Sequence, residues 1–469
     1  PAADAGRHRP HPLACAAAVA QARAVSQQTA AAGAGRHPLF IATPLKLTMN
    51  TSTLKNMTAS ALEHCSGVST DLLADMPRAA RAGVRLLQRL EHGTLLLELP
   101  DGRTLRLGSG TMPTANLRLH NWKVFSAVAR SGDIGLAEGY IAQDWSTPHL
   151  AELLKLLIAN REALESLVYG AWWGRLAYQL RHLLNRNTRA GSRRNIHAHY
   201  DLGNDFYRLW LDPSMNYSAA WFEGNLQGDL TQAQNAKVRR ALHSAGVQPG
   251  SRVLEIGCGW GALAEMGAGE FQAHVTGVTL SSEQLAYAQS RAEQAGVAAQ
   301  VDLRLQDYRD IELGSAGAYD AICSIEMVEA VGQSYWPSYF GALQRLLKPG
   351  GRACVQSIVI KDALFERYVR GTDFIQQYIF PGGCLPSPAR FKAAAEQAGL
   401  RVTQSFSFGP DYAETLRRWH QRFAQQRAAV QAQGFDPAFQ RTWEFYLAYC
   451  EASFDTANID VVQYTLVKD

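Results

Sequence analysis

At 469 residues the chain exceeds what one ordinary core needs and predicts two or three domains, and a 47% hydrophobic content excludes an intrinsically disordered protein. A net charge of +4 gives no whole-molecule field to attract nucleic acid. Seven cysteines, an odd number without CxxC pairs or metal-ligand spacing, argue against a disulfide framework or a metal site and fit free thiols in a reducing, cytoplasmic compartment.

Residues 1–48 lack Met and are rich in Ala, Arg, His and Gln, so they are expected to be a non-native or disordered leader ahead of Met49. The apolar part of "LACAAAVAQARA" is short and Ala-dominated for an export signal. From Leu72 to Gln88 apolar residues recur at helical spacing with Arg78, Arg81, Arg85 and Arg89 between them, which predicts an amphipathic helix with a basic, solvated face. "GTLLLELPDGRTLRLG" alternates around Asp101-Gly102 as a tight hairpin does, and helical segments follow through "KVFSAVARSGDIGLAEGYIAQDW" and "HLAELLKLLIANREALESLV". Together these make a small α+β domain over residues 66–165.

The 166–195 segment sets Trp172, Trp173 and Tyr178 among Arg175, Arg181 and Arg186, a mixture that suits the headgroup boundary of an anionic membrane or a helix docking two domains. No run of about 18 apolar residues spans a bilayer, so any attachment is peripheral. From Gly250 short apolar stretches alternate with helical ones. "RVLEIGCGWG", "AHVTGVTLS", "VDLRLQDY", "YDAICSIE" and "GGRACVQSIVI" read as five strands and "IDVVQYTLVKD" as a closing one. Residues 196–469 are therefore expected to form an α/β domain with a Rossmann-like, mostly parallel sheet.

In "VLEIGCGWGALAE" Glu255 ends a strand, and Gly257, Gly259 and Gly261 make a turn where a ligand approaches backbone amides at a helix start. The G-x-G-x-G spacing lacks the Lys-Ser/Thr of a nucleoside triphosphate site. An acidic residue before the glycines, a strand ending at Thr279 and "QDY" after the third strand resemble the S-adenosylmethionine (SAM) methyltransferases. That resemblance implies that Gly257, Gly259 and Gly261 face the amino acid end of SAM, that Thr279 and Gln284 lie near its ribose, and that Asp307 and Tyr308 bound its adenine.

Ahead of this turn, "HYDLGNDFYRLWLDPSMNYSAAWF" crowds seven aromatic rings among hydroxyls and carboxamides. With "QDYRD", "YIFPGGCLPS" and "FGPDYAETLRRW" it resembles the cyclopropane-fatty-acyl-phospholipid synthase family, from about residue 66 to the C-terminus. The resemblance implies a helical lid over the methyltransferase core, with Tyr217 and Ser218 touching SAM and Tyr200 walling an acyl channel. It also implies an N-terminal domain that binds lipid and forms dimers, and a phospholipid membrane surface as partner. Trp419, Phe423, Trp443 and Tyr446 wall that channel or belong to the core, and Trp210 and Phe206 read as core.

In the family reaction an alkene attacks the methyl of SAM, and a bicarbonate ion held by backbone amides and Cys, Glu, His and Tyr side chains takes a proton. Glu329 and Tyr412 match the Glu and Tyr, and Ile358 matches a backbone contact. The Cys position is Ala219 and the His position is Gln356, so bicarbonate is held more weakly here or not at all. Glu326 stands where the bacterial synthases carry Gly. The lost ligands motivate the expectation that Glu326 or Glu329 positions or replaces the base; the plainer alternative is that Glu326 caps the next helix. Cys450 coincides with a family cysteine described as active-site, yet four residues after Tyr446 on an apolar helix it also reads as a small buried hydrophobe.

The expected activity is transfer of the SAM methyl carbon to unsaturated acyl chains of phospholipids, giving cyclopropane chains or methyl-branched or methylene ones. Rival readings are a small-molecule amine N-methyltransferase and a catalytically silent SAM- or lipid-binding protein.

Overall fold

The structure, a computed structural model, describes Leu73 and residues 75–164, 202–314 and 317–469. The leader at 1–48, the Trp/Arg segment at 166–195 and Tyr200 lie outside the described residues. The chain divides into two compact units, Pro1–Asp75 and Met76–Asp469, and the elements named here belong to the second.

The amphipathic pattern folds as a helix, Arg78–Leu87, that buries Ala80, Gly83, Val84 and Leu87 and leaves Arg78 and Arg85 exposed. Strands β1 (Thr94–Glu98) and β2 (Thr104–Gly108) pair antiparallel around Asp101-Gly102. Gly102 takes φ +87°, open to glycine at little cost. β3 (Thr114–Leu119) runs parallel to β1, and β4 (Trp145–Ser146) completes a four-stranded sheet in the order β2-β1-β3-β4. Helices Lys123–Ser131, Asp133–Ile141 and Leu150–Ala159 accompany it. Tyr140, from the second of these, donates to Glu444 at 3.2 Å on helix Pro437–Asp455.

The remaining strands are β5 (Arg252–Ile256), β6 (His274–Thr279), β7 (Val301–Leu305), β8 (Tyr319–Ile325), β9 (Leu347–Ile360), β10 (Leu400–Ser407) and β11 (Ile459–Lys468). They form one sheet in the order β10-β11-β9-β8-β5-β6-β7, parallel from β9 to β7 and antiparallel at β10 and β11. Strand alternation feeds a core on each face. On β5, Val253 joins the cluster under helix Leu230–Ser244, while Leu254 and Ile256 join the one under helix Trp336–Leu346. Burying each such side chain contributes about 1.5–3 kcal/mol.

Chain order reverses between β5 and β8, so their C-terminal ends part and leave a crevice. The functional site lies there.

Two glycine substitutions separate close packing from mere chain entropy. A Cβ on Gly135 would lie 2.2 Å from the carbonyl oxygen of Ala127 on the preceding helix, whereas one on Gly341, within helix Trp336–Leu346, meets nothing within 4 Å. Gly135→Ala is expected to lower stability by about 1–3 kcal/mol. Gly341→Ala is expected to raise it by about 0.4–1 kcal/mol. Denaturant midpoints check both signs.

Candidate active site

The glycine turn leaves β5 with Gly257 at φ +84°, Gly259 at +49° and Gly261 at +84°, a backbone that side chains rarely tolerate. A Cβ on Gly257 would also meet the Met327 side chain at 2.5 Å, and one on Gly261 would meet Ala288 at 2.8 Å. Gly261 thus acts by packing the helix Ala262–Gly269 against Ser282–Gln294; unlike Gly257 and Gly259, it does not line the cavity. Trp260 donates from Nε1 to Asn204 at 2.7 Å, and its ring lies 5.0 Å from that of Tyr207. These contacts hold the start of the aromatic stretch against the turn.

A cavity of about 430 Å3 opens above the turn. At one end it is lined by Glu255, Thr279, Gln284, Asp307 and Tyr308, together with Tyr217 and Ser218. Thr279 donates to Gln284 Oε1 at 3.0 Å, and Ser281 caps the next helix through Gln284 N. Asp307 is fixed by Arg309, with Nε to Oδ1 at 2.8 Å and NH2 to Oδ2 at 2.5 Å. Glu255 is buried, and its Oε2 has no hydrogen-bond partner among the described residues. Burial raises its carboxyl to about 8, with Lys237 and Arg291 pulling the other way. An unpartnered buried acceptor over a glycine turn fits a cationic ligand such as SAM.

The two carboxylates after β8 are brought together with Tyr412 and the backbone of β9. Glu326 Oε1 accepts from Ala219 N at 2.9 Å and from Gln356 Nε2 at 2.8 Å, and Oε2 accepts from the Tyr412 hydroxyl at 2.8 Å. Glu329 Oε1 accepts from Ile358 N at 3.0 Å and Oε2 from the Ser357 hydroxyl at 3.4 Å. The helix Val328–Val331 has no side-chain cap, so Glu326 does not cap it. Burial raises the carboxyls of both. The donors and the nearby Lys237 converge on Glu326 and oppose its rise, which favours ionised Glu326 beside protonated Glu329.

Four expectations are corrected. Gln356 is fully buried and lies behind the cavity, where it orients Glu326 rather than meeting a ligand. Trp419 is likewise fully buried and packs against Trp210, Tyr217 and Tyr412 in the core instead of lining the channel. Gly261 supports the turn from outside the cavity. Cys450 does line it, but burial pushes its thiol far above the ordinary range, which leaves a neutral, inert sulfur. Tyr446, beside it, shares a 2.7 Å hydrogen bond with Tyr217.

Sequence reasoning missed Lys237, which is fully buried with Nζ 2.5 Å from Ser218 Oγ; burial lowers its ammonium to about 8 while Glu326, Asp212 and Glu255 raise it. It also missed Gln463, which donates to Gln356 Oε1 at 3.0 Å and accepts from Arg240 at 2.6 Å. The signal for Lys237 was its phase, four residues from Ala233 and Ala241 on the buried face of helix Leu230–Ser244.

Bicarbonate does not fit this arrangement. The donors present at Ala219, Gln356 and Tyr412 are engaged by Glu326, and that of Ile358 by Glu329.

Burial, and then the charge of Glu326, raises Glu329 from 4.5 to about 8, so the folded protein keeps a proton that the unfolded chain releases. The associated stability is complete below about pH 4.5 and is lost as the pH climbs through about 8. The melting temperature of the ligand-free protein is expected to fall less steeply between about pH 5 and about pH 8 in Glu329→Gln than in the wild type. Equal slopes would contradict the assignment.

Residues 187–464 match the family described as mycolic acid cyclopropane synthetase. The chain is 39% identical to tuberculostearic acid methyltransferase UfaA1 of Mycobacterium tuberculosis (strain ATCC 25618 / H37Rv), over 85% of this chain and 95% of the relative. It is 33% identical to the cyclopropane-fatty-acyl-phospholipid synthase of Escherichia coli (strain K12), over 76% and 88%. The crystal structure of mycolic acid cyclopropane synthase CmaA1 complexed with SAH and CTAB superposes with a TM-score of 0.55 at 32% identity, covering 59% of this chain and 98% of that one. With the expected parallel sheet and glycine turn in place, the chain belongs to the mycolic acid cyclopropane synthetase family, and it is a SAM-dependent methyltransferase that modifies lipid acyl chains.

Proposed function

We propose that the protein transfers the methyl carbon of SAM to a double bond in a phospholipid acyl chain and leaves a methylene branch. The observation that carries this reading is the single cavity that joins the glycine turn to a passage walled by Tyr217, Phe380, Tyr446 and Phe454 and meets a pair of buried carboxylates on the way. SAM supplies an electrophilic methyl group. The alkene π pair forms the new C–C bond as the C–S bond breaks, with the C–S bonding pair staying on sulfur. The cation left on the neighbouring carbon is shielded from water and faced by aromatic rings. A 1,2-hydride shift then moves the charge to the methyl-bearing carbon, and loss of a methyl proton to a carboxylate forms the C=CH2 double bond of the branch.

Loss of the same proton before the shift closes a cyclopropane, so the timing of proton transfer decides the product. A carboxylate with both oxygens already accepting hydrogen bonds takes the proton more slowly than a free anion, which favours the shift. The 39% identity to a tuberculostearic acid methyltransferase over 85% of the chain supports methyl transfer without ring closure. Ring closure is the second reading, supported by the 33% identity to a cyclopropane synthase. Ser131, Asp133 and Arg161, which also line the cavity, suit a polar head group. The protein works peripherally at the cytoplasmic membrane face; no helix among the described residues is long and apolar enough to cross a membrane.

Incubation of the purified protein with SAM and vesicles of unsaturated phospholipid is expected to add one CH2 to the acyl chains, in a product that takes up hydrogen on mild hydrogenation. A product of the same mass that resists hydrogenation would establish the ring instead, and no gain of mass would overturn the lipid reading.

A further inference from the structure

We propose that the Glu326 carboxylate permanently fills the anion position of this site and is itself the group that receives the methyl-derived proton, so that turnover needs no bicarbonate. The inference deepens the proposed function and rests on it for the identity of the substrate.

Three observations carry it. The first is geometric: Ala219 N, Gln356 Nε2 and the Tyr412 hydroxyl all point at one carboxylate, at 2.9, 2.8 and 2.8 Å. These are three of the positions at which an external anion was expected, and Glu326 itself lines the cavity. The second is the backbone. Glu326 holds φ +55°, a conformation natural to glycine and costly for a residue with a side chain. Strain of this kind persists where a side chain is required at that point.

The third observation is the support behind the carboxylate. Gln463 donates to Gln356 Oε1 at 3.0 Å and is itself held by Arg240, so the Gln356 amide turns its NH2 toward Glu326. Gln356 is thus a positioning residue. Lys237, buried and without a carboxylate in direct contact among the described residues, supplies positive charge to the same interior and favours an ionised Glu326 that can accept a proton. The step balances: the C–H bond of the transferred methyl breaks, its electron pair becomes the π bond of the methylene branch, and the proton moves to a Glu326 oxygen.

The test has a turnover arm and a binding arm. In buffer stripped of carbon dioxide, wild-type methyl transfer to phospholipid vesicles is expected to match that in bicarbonate-supplemented buffer. Glu326→Gln, which keeps the volume and loses the base, is expected to lose about 100-fold or more of turnover while still binding S-adenosylhomocysteine. Glu326→Gly, which relieves the backbone and vacates the anion position, is expected to recover turnover when bicarbonate is added. A wild-type rate that rises with bicarbonate, or a Glu326→Gln variant of unchanged rate, would overturn the proposal.

The binding arm is independent of the substrate. With S-adenosylhomocysteine bound, 13C-bicarbonate detected by NMR is expected to associate with Glu326→Gly and not with the wild type; association with both, or with neither, overturns the proposal. Absence of lipid turnover in every sample, with the expected pattern of bicarbonate binding, would count against the lipid substrate and in favour of the anion replacement.

Discussion

A carboxylate removed from water must be met by donors and countercharge or give up its ionisation, and the satisfaction of Glu326 organises the catalytic region. Its partners come from separate parts of the chain: Ala219 from the aromatic stretch, Gln356 from β9, Tyr412 from helix Gly409–Gln425, and the more distant Lys237 from helix Leu230–Ser244. One side chain therefore ties the aromatic stretch, the sheet and a C-terminal helix to the end of β8. A buried group with several satisfied partners is costly to disturb, which holds the passage in one geometry.

The same burial sets the division of labour between the carboxylates. Glu329 sits against Ile358 N with a weaker contact to Ser357 and keeps its proton up to about pH 8. Glu326 collects the stronger donors. Beside the glycine turn Glu255 has an oxygen without a hydrogen-bond partner among the described residues, and Lys237 lies near enough to affect both Glu255 and Glu326. Glu255 and Glu326 thus share one countercharge in Lys237, so a change of charge at the turn bears directly on the ionisation of Glu326.

Much of this was legible in the sequence where the signal is local. The five parallel strands showed as short apolar runs, the hairpin as alternation about Asp101-Gly102, and the glycine turn as a spacing. β10 was missed because it is an edge strand, exposed along most of its length with no clear alternation, and β3 because Ala115 and Asn116 weaken a short run. In the site, Glu326, Glu329 and Tyr412 were identifiable through a family resemblance, but their arrangement was not. The contacts that decide the chemistry join residues 86 apart for Tyr412 and Glu326, 107 apart for Gln463 and Gln356, and 223 apart for Arg240 and Gln463. No periodicity encodes such pairs. For the same reason the sequence left Trp419 between the channel wall and the core, and its ring is turned into the core among Trp210, Tyr217 and Tyr412.

The central claim is that the protein alkylates carbon and removes a proton from the transferred methyl inside a closed site. Turnover with SAM carrying a fully deuterated methyl group, followed by mass spectrometry of the acyl chains, tests it most directly. The account predicts that the added carbon keeps two of its three deuterons, whichever product forms. Retention of all three would mean that the methyl group is transferred intact, and would contradict a base acting on it.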